Sequence, residues 1–342
     1  MGELVVWCMA QILVDQFSDG DAAGAWSKRY ESYMHFVYGE DEKIPTDMAI
    51  RDSISYSGLI AEALIAYRRT HPNQAVSKLI FSRLQLLESY LHRHFNPKQN
   101  GFGLARLNAR NERNIVVDLR HTIWAVLTLN LLGRLDSKTN EALRKAGAYL
   151  NNEITLLGSG EQRAITFAVF HKMLSTPGAS NVLLIPETSR VGLLRRIEEF
   201  LIEKFDESFG SWDLDKDPPE SSGVDNALFV LSTVKLNTCK DERCVNMFRI
   251  AVERLCKISV VDVDEDKAAL PFVDGGKPDI GATINLLWIL WRDRTILGEN
   301  KILIKRLLNF VLDPVNRENP GQFAYPWHLA SCLLLVCDPN TT

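Results

Sequence analysis

Asn100-Gly101-Phe102-Gly103 stands between an amphipathic stretch, 77–95, and a greasier one, 117–132, and its reading decides the fold. The pattern returns. Phe209-Gly210-Ser211-Trp212 precedes the apolar run 222–236, and Pro320-Gly321-Gln322-Phe323 precedes 326–336. A degenerate copy, Asp19-Gly20 through Ala25-Trp26, follows a first apolar stretch at 4–17. Similarity at a period of roughly 50 residues marks a repeat architecture, because a lone helix pair cannot bury its apolar face without neighbours.

Six pairs result. The spacing of apolar residues predicts helices over 4–17 and 52–67, 77–95 and 117–132, 140–154 and 161–174, 187–205 and 222–236, 244–258 and 281–291, and 302–312 and 326–336. The second member of each pair carries few charges and several small residues, as at Ala61, Ala63, Ala66, Ala164, Ala168 and Ala282. The first member carries Arg, Lys and Glu on one face. A helix apolar nearly all round is buried, and an amphipathic one faces water. The expectation is all-α: an (α/α)6 barrel, or toroid, forming a single domain over 1–342. Six pairs with no polar capping repeat favour a closed ring over an open superhelix.

Composition narrows the function classes. Of the 342 residues, 46% are hydrophobic, which is enough for a large core, and the net charge of −4 leaves no basic stripe to neutralise phosphates. Nucleic acid is therefore not an expected partner. No apolar stretch reaches the length of a transmembrane helix. The apolar start, 4–14, lacks a positive leader and reads as a buried first helix rather than a signal peptide. Val6 stands where a myristoylation signal has Ser or Thr. Cys8, Cys256, Cys332 and Cys337 lie in apolar helices, as small core residues do in a reducing compartment, so a soluble, cytoplasmic protein is expected. Cys239 and Cys244 flank a polar turn with no second cysteine pair or nearby His in the sequence, so neither a metal nor another cofactor is expected.

Several segments resemble the terpenoid cyclase and protein prenyltransferase superfamily of α/α toroids. The stretch 116–125, with Asp118-Leu119-Arg120-His121-Thr122-Ile123-Trp124, resembles an inner-helix segment of prenyltransferase β-subunits. Gly210-Ser211-Trp212 is similar to the repeat motif of squalene and hopene cyclases, and Val224-Asp225-Asn226-Ala227-Leu228 to the start of the inner helix that follows. This resemblance implies the toroid fold but carries over chemistry poorly. The β-subunits hold zinc with an Asp and a Cys from an Asp-Gly-Cys segment and a later His. Here Asp274-Gly275-Gly276 and Tyr325-Pro326-Trp327-His328 match, but Gly276 replaces the cysteine. The cyclases protonate substrate with an Asp-x-Asp-Asp motif. Asp213-Leu214-Asp215-Lys216-Asp217 sits instead in a loop directly after Trp212 and reads as a solvated turn. Gly158-Ser159-Gly160-Glu161-Gln162 is similar to the thioester motif of complement-type toroids, but Ser159 cannot form one.

In such a ring the N-termini of the inner helices meet at one mouth of a central cavity. The candidate rim is Asp52 and Tyr56, Asp118, Arg120 and His121, Asp225, Asp279, and Trp327 and His328. Asp52, Asp225 and Asp279 equally read as helix caps. Arg120, inside an apolar run, needs a partner, with Asp118 or another rim carboxylate as the candidate. The functional expectation is a binding or scaffold toroid without a complete catalytic set, taking a hydrophobic or anionic small molecule or a protein partner. The alternative is an isoprenoid enzyme, cyclase-like or prenyltransferase-like, with an aromatic cavity. A carbohydrate-processing toroid using paired carboxylates, such as Asp118 and Glu161, ranks third.

Overall fold

The computed structural model describes residues 2–18, 22–29, 50–107, 113–133, 136–155, 163–176, 178–212, 222–258, 261–264, 266–271, 278–298, 300–317 and 326–337. Glu161, the acidic run 213–217, the Asp274–Gly276 segment and Tyr325 lie outside these residues, as do the side chains of Asp52 and Trp327. The chain begins with α1 (Gly2–Val14) and continues through the strands β1 (Trp26–Arg29) and β2 (Ile50–Ser53) into α2 (Ile54–Thr70) and α3 (Gln74–Arg93). Next come β3 (Phe95–Asn96), β4 (Gly101–Leu107), β5 (Arg113–Val117), α4 (Leu119–Leu132), α5 (Ser137–Thr155), α6 (Ala164–Ser175) and α7 (Glu187–Glu203). Then follow β6 (Phe205–Asp206), β7 (Ser211–Trp212), α8 (Ser222–Thr233), α9 (Glu242–Ile258), β8 (Val261–Asp264), β9 (Lys267–Ala269) and α10 (Ile280–Arg292). The short α11 (Arg294–Leu297), α12 (Lys301–Leu312) and α13 (Pro326–Cys337) complete the described chain.

Among the described residues six helices form the inner ring: α2, α4, α6, α8, α10 and α13. Each contacts the next in that order, and α13 contacts α2. Helix α1 docks on α13 and so covers the seam between the last repeat and the first. The burial pattern matches the two helix types. In α4 every residue from His121 to Leu129 is buried, whereas in α9 burial falls on Cys244, Met247, Phe248, Ala251, Val252 and Leu255, one stripe at helical spacing. Close approach within the ring depends on small residues. A Cβ on Gly58 in α2 would stand 2.8 Å from Thr128 Oγ1 and 2.8 Å from the Trp124 ring, so a larger residue would push α2 off α4.

The loops that sequence periodicity reads only as punctuation are short antiparallel hairpins. Phe95 pairs with Phe102 and Asn96 with Gly101, and Phe205 pairs with Trp212 and Asp206 with Ser211. In each, the second residue turns the chain, since Asn96 Oδ1 accepts from Lys98 N and Gln99 N while Asp206 Oδ1 accepts from Ser208 N and Phe209 N. Asn100 (φ 60°) and Gly210 (φ 63°) then occupy the same left-handed position.

In two of the repeats a tryptophan closes the preceding helix. Trp212 Nε1 donates to Leu201 O at 2.9 Å, and Trp26 Nε1 donates to Ile12 O at 2.7 Å, each satisfying a carbonyl in the last helical turn. A polar residue one turn into the next inner helix ties the loop down. Trp26 N donates to Ser57 Oγ, Phe102 N to Thr122 Oγ1 and Leu270 N to Thr283 Oγ1, while Asn226 Nδ2 donates to Trp212 O. The repeat is therefore a repeat of hydrogen bonds as well as of hydropathy.

Candidate functional site: the two mouths of the ring

At the N-terminal mouth the acidic residues are mostly engaged by backbone. Asp118 precedes α4 and accepts from His121 N at 3.0 Å. His121 Nδ1 lies 3.1 Å from the same carboxylate oxygen, and the His121 side chain is 11% exposed against 50% for Asp118. Burial alone would raise the Asp118 pKa, but His121 and, more weakly, Arg120 hold it well below the usual carboxylate range. The partner of Asp118 is thus His121 rather than Arg120, and the carboxylate is half-exposed rather than buried. The sequence expectation of a buried Asp118–Arg120 pair is corrected accordingly.

Asp279 caps α10 by accepting from Ala282 N at 2.5 Å, and it is buried. Its burial pushes its pKa up to about 7 against the pull of the Ala282 and Gly281 N–H groups, and the charge of Asp225 adds to the rise. Asp225 lies within the first turn of α8. His328 at the start of α13 is fully buried, and burial pushes its pKa down to about 3, so the imidazole is neutral near neutral pH. A Cβ on Gly281 would stand 2.1 Å from His328 Nδ1, which places this ring directly on the α10 backbone and brings His328 beside the Asp279 turn. Tyr56 is half-buried against the core. The backbone of Asp52 lies in β2, opposite Ser27.

The C-terminal mouth holds a cavity that sequence reading did not anticipate. Its volume is about 260 Å³, and its lining draws on all six inner helices. Its wall is largely apolar, and five charged residues project into it: Glu62 and Arg69 from α2, Lys172 from α6, Lys235 after α8, and Arg292 from α10. Lys172 Nζ meets Glu62 Oε2 at 2.6 Å and lies 5.7 Å from the Trp124 ring centre. Burial would raise the Glu62 pKa, but the Lys172 charge and hydrogen bond lower it below the ordinary value. Arg292 pairs with Asp293 and donates to the carbonyls of Leu231, Ser232 and Val234, so it closes the end of α8.

Two cavity cations are not spent this way. Neither Lys235 nor Arg69 has an ion-pair or hydrogen-bond partner for its side chain among the described residues. Partial removal from water, and then the charge of Lys172, lower the Lys235 pKa below the usual lysine range. Behind the lining, the Ser232 and Ser331 hydroxyls both donate to Asn285 Oδ1. The buried Asn285 Nδ2 finds no acceptor among the described residues. The sequence signal for this cavity was a single charge inside an otherwise apolar helix, at Glu62 and again at Lys172. A larger groove of about 600 Å³, lined by α9, α10 and α12 and by Leu297, Gly298 and Asn300, opens on the ring's outer wall.

Comparison with solved structures places the architecture. A polysaccharide lyase superposes with a TM-score of 0.59 at 12% identity, over 96% of this chain and 96% of its own. The cellobiose 2-epimerase of Bacillus thermoamylovorans gives 0.56 at 13%, over 98% and 99%. The type II terpene cyclase MstE of Scytonema gives 0.53 at 13%, over 98% and 97%. The fold is that of the α/α toroids. No protein-family model and no curated protein sequence matches the chain. At these identities the likeness covers the fold and not the chemistry. No helix among the described residues is long and apolar enough to cross a membrane.

Proposed function

We propose that the chain is a ligand-binding toroid without a recognisable catalytic set, and that it holds a small anionic molecule at the C-terminal mouth. The observation that carries this reading is the pair Lys235 and Arg69, two exposed cations at a concave site lined by six helices, neither with an ion-pair or hydrogen-bond partner among the described residues. The orphan Asn285 amide behind the same wall supports it, since buried donors are normally satisfied. The competing role for such cations is to offset the partial negative charge at helix C-termini. Lys172 and Arg292 fit that role, because each sits in a last turn and has a carboxylate partner. Lys235 lies beyond the end of its helix. The volume suits a molecule of sugar-acid or sugar-phosphate size and is small for a long isoprenoid chain, whose burial against charged groups would also be costly.

Titration calorimetry with inorganic phosphate, glucuronate and geranylgeraniol tests the idea. Binding of phosphate or glucuronate is expected, weakened about tenfold by Lys235→Ala, the loss of about 1.4 kcal/mol. If neither anion binds the wild-type protein, the reading fails. Geranylgeraniol binding that ignores Lys235→Ala would move the assignment to the isoprenoid class.

A further inference from the structure

Sequence spacing leaves Cys239 and Cys244 as a pair without further ligands, but the fold supplies them. His171 from α6, Glu198 from α7 and Cys239 from the α8–α9 connection bring one donor atom each to within 4.8 Å of one another. His171 and Glu198 are fully buried, as is Cys244, whose thiol lies against that of Cys239 at the start of α9. His171 Nε2 meets Glu198 Oε1 at 3.0 Å, while His171 Nδ1 has no partner among the described residues. The carboxylate is aimed by backbone. Lys240 N donates to Glu198 at 2.8 Å and Asp241 N at 2.7 Å, so the loop that carries Cys239 is fastened to the residue it faces. These bonds orient Glu198 in the way that outer hydrogen bonds orient metal-ligating carboxylates.

We propose that this cluster is a zinc-type metal site, with Cys239, His171 and Glu198 as ligands and Cys244 placed to become the fourth. Thiolate, imidazole and carboxylate together suit a borderline divalent ion such as zinc rather than calcium or magnesium, which take oxygen. Donors around tetrahedral zinc stand about 3.5 Å apart, so adjustments of about an ångström complete the set. The ion displaces the proton between His171 and Glu198, which leaves to solvent together with the Cys239 thiol proton and, once Cys244 joins, its thiol proton. A carboxylate has about four lone-pair positions, so the two backbone N–H bonds to Glu198 persist. With its ligands closed around it the ion is structural, stapling an inner helix, its outer partner and the entry to the next outer helix. It is separate from the anion cavity: Lys172 faces Glu62 across the ring, and its neighbour His171 faces the outer wall.

Elemental analysis of the full chain, expressed with zinc and then dialysed, reads the site directly. Stoichiometric zinc is expected, as is a thiolate-to-metal charge-transfer band on replacement with cobalt. Cys239→Ser should abolish the band and the bound metal, while Cys256→Ser, on α9 away from the cluster, should leave both unchanged. If Cys239→Ser does not fold, an EDTA titration of the wild type that lowers its melting temperature by several degrees supports the site. A metal-free wild type without a cobalt band overturns the proposal. So does metal retained in folded Cys239→Ser, or a Cys239–Cys244 disulfide found by mass spectrometry in freshly isolated protein.

Discussion

The two mouths of the ring are built from opposite charges, and the contrast separates residues that serve the fold from residues free to serve a ligand. Where the inner helices begin, Asp118 and Asp279 spend their carboxylates on the N–H groups of His121 and Ala282. Where they end, Lys172 and Arg292 pair with Glu62 and Asp293, while Lys235 and Arg69 have no ion-pair or hydrogen-bond partner among the described residues. The sign at each mouth follows from the helix dipole, which favours acids at N-termini and bases at C-termini. Arg69 also sits in a last turn, whereas Lys235 lies beyond its helix, and the proposed anion site rests on that difference.

The largest expected effect is on the matched pair. Lys172→Ala leaves Glu62 facing the cavity without its ion pair and should cost about 3 kcal/mol in chemical denaturation. The double variant Lys172→Met with Glu62→Gln should recover most of that loss. Because the Glu62 pKa is lowered in the folded protein, the contribution is complete above its ordinary value of 4.5 and fades as pH falls through the lower folded value. A Lys172→Ala protein as stable as the wild type would show that this pair is no more fixed than Lys235.

At the opposite mouth the sign reverses. Asp279 ionises near 3.8 when unfolded and at about 7 when folded, so the folded state holds the proton more tightly between those values. Stability should therefore fall as pH rises from about 4 to about 7, by at most about 4 kcal/mol, and level off above. Asp279→Asn keeps a side-chain acceptor for Ala282 N and should flatten that slope, so the variant is the more stable protein at pH 8. A wild-type stability curve without this slope would remove the buried acid from the comparison.

The two smallest effects sharpen the contrast. Asp118→Ala should cost about 1 kcal/mol, the ordinary loss of a helix cap, because the carboxylate is half-exposed. A loss of 3 kcal/mol or more would restore the view of Asp118 as a buried ion-pair partner. Lys235→Ala should change stability by less than about 0.5 kcal/mol, the range of a surface substitution. A larger fall in its denaturation midpoint, without a change in anion affinity, would return Lys235 to the task of offsetting helix ends.

Hydropathy and spacing alone carried the architecture a long way. The stretches 187–205, 244–258 and 302–312 reappear as α7, α9 and α12 within about two residues at each end, because their apolar positions recur at the helical period and only one packing satisfies them. The hairpins were not legible beyond their turn residues. A pair of two-residue strands such as Phe95–Asn96 with Gly101–Phe102 has too little length for period-two alternation to register.

The sites divide along the same line. Sequence placed Asp118 and Asp279 correctly at helix starts, since a cap depends on residues three positions apart. It could not assign Asp118 to His121 over Arg120, because side-chain direction and exposure decide between neighbours on one turn. Nor could it join Glu62 to Lys172 or His171 to Glu198 and Cys239, which are separated by 110, 27 and dozens of residues and meet only when the ring closes. Local periodicity thus determined that this chain is a ring of helix pairs. Only the tertiary structure decided which charges face each other, because that depends on the rotation of each helix about its own axis, and the packing of its neighbours sets it.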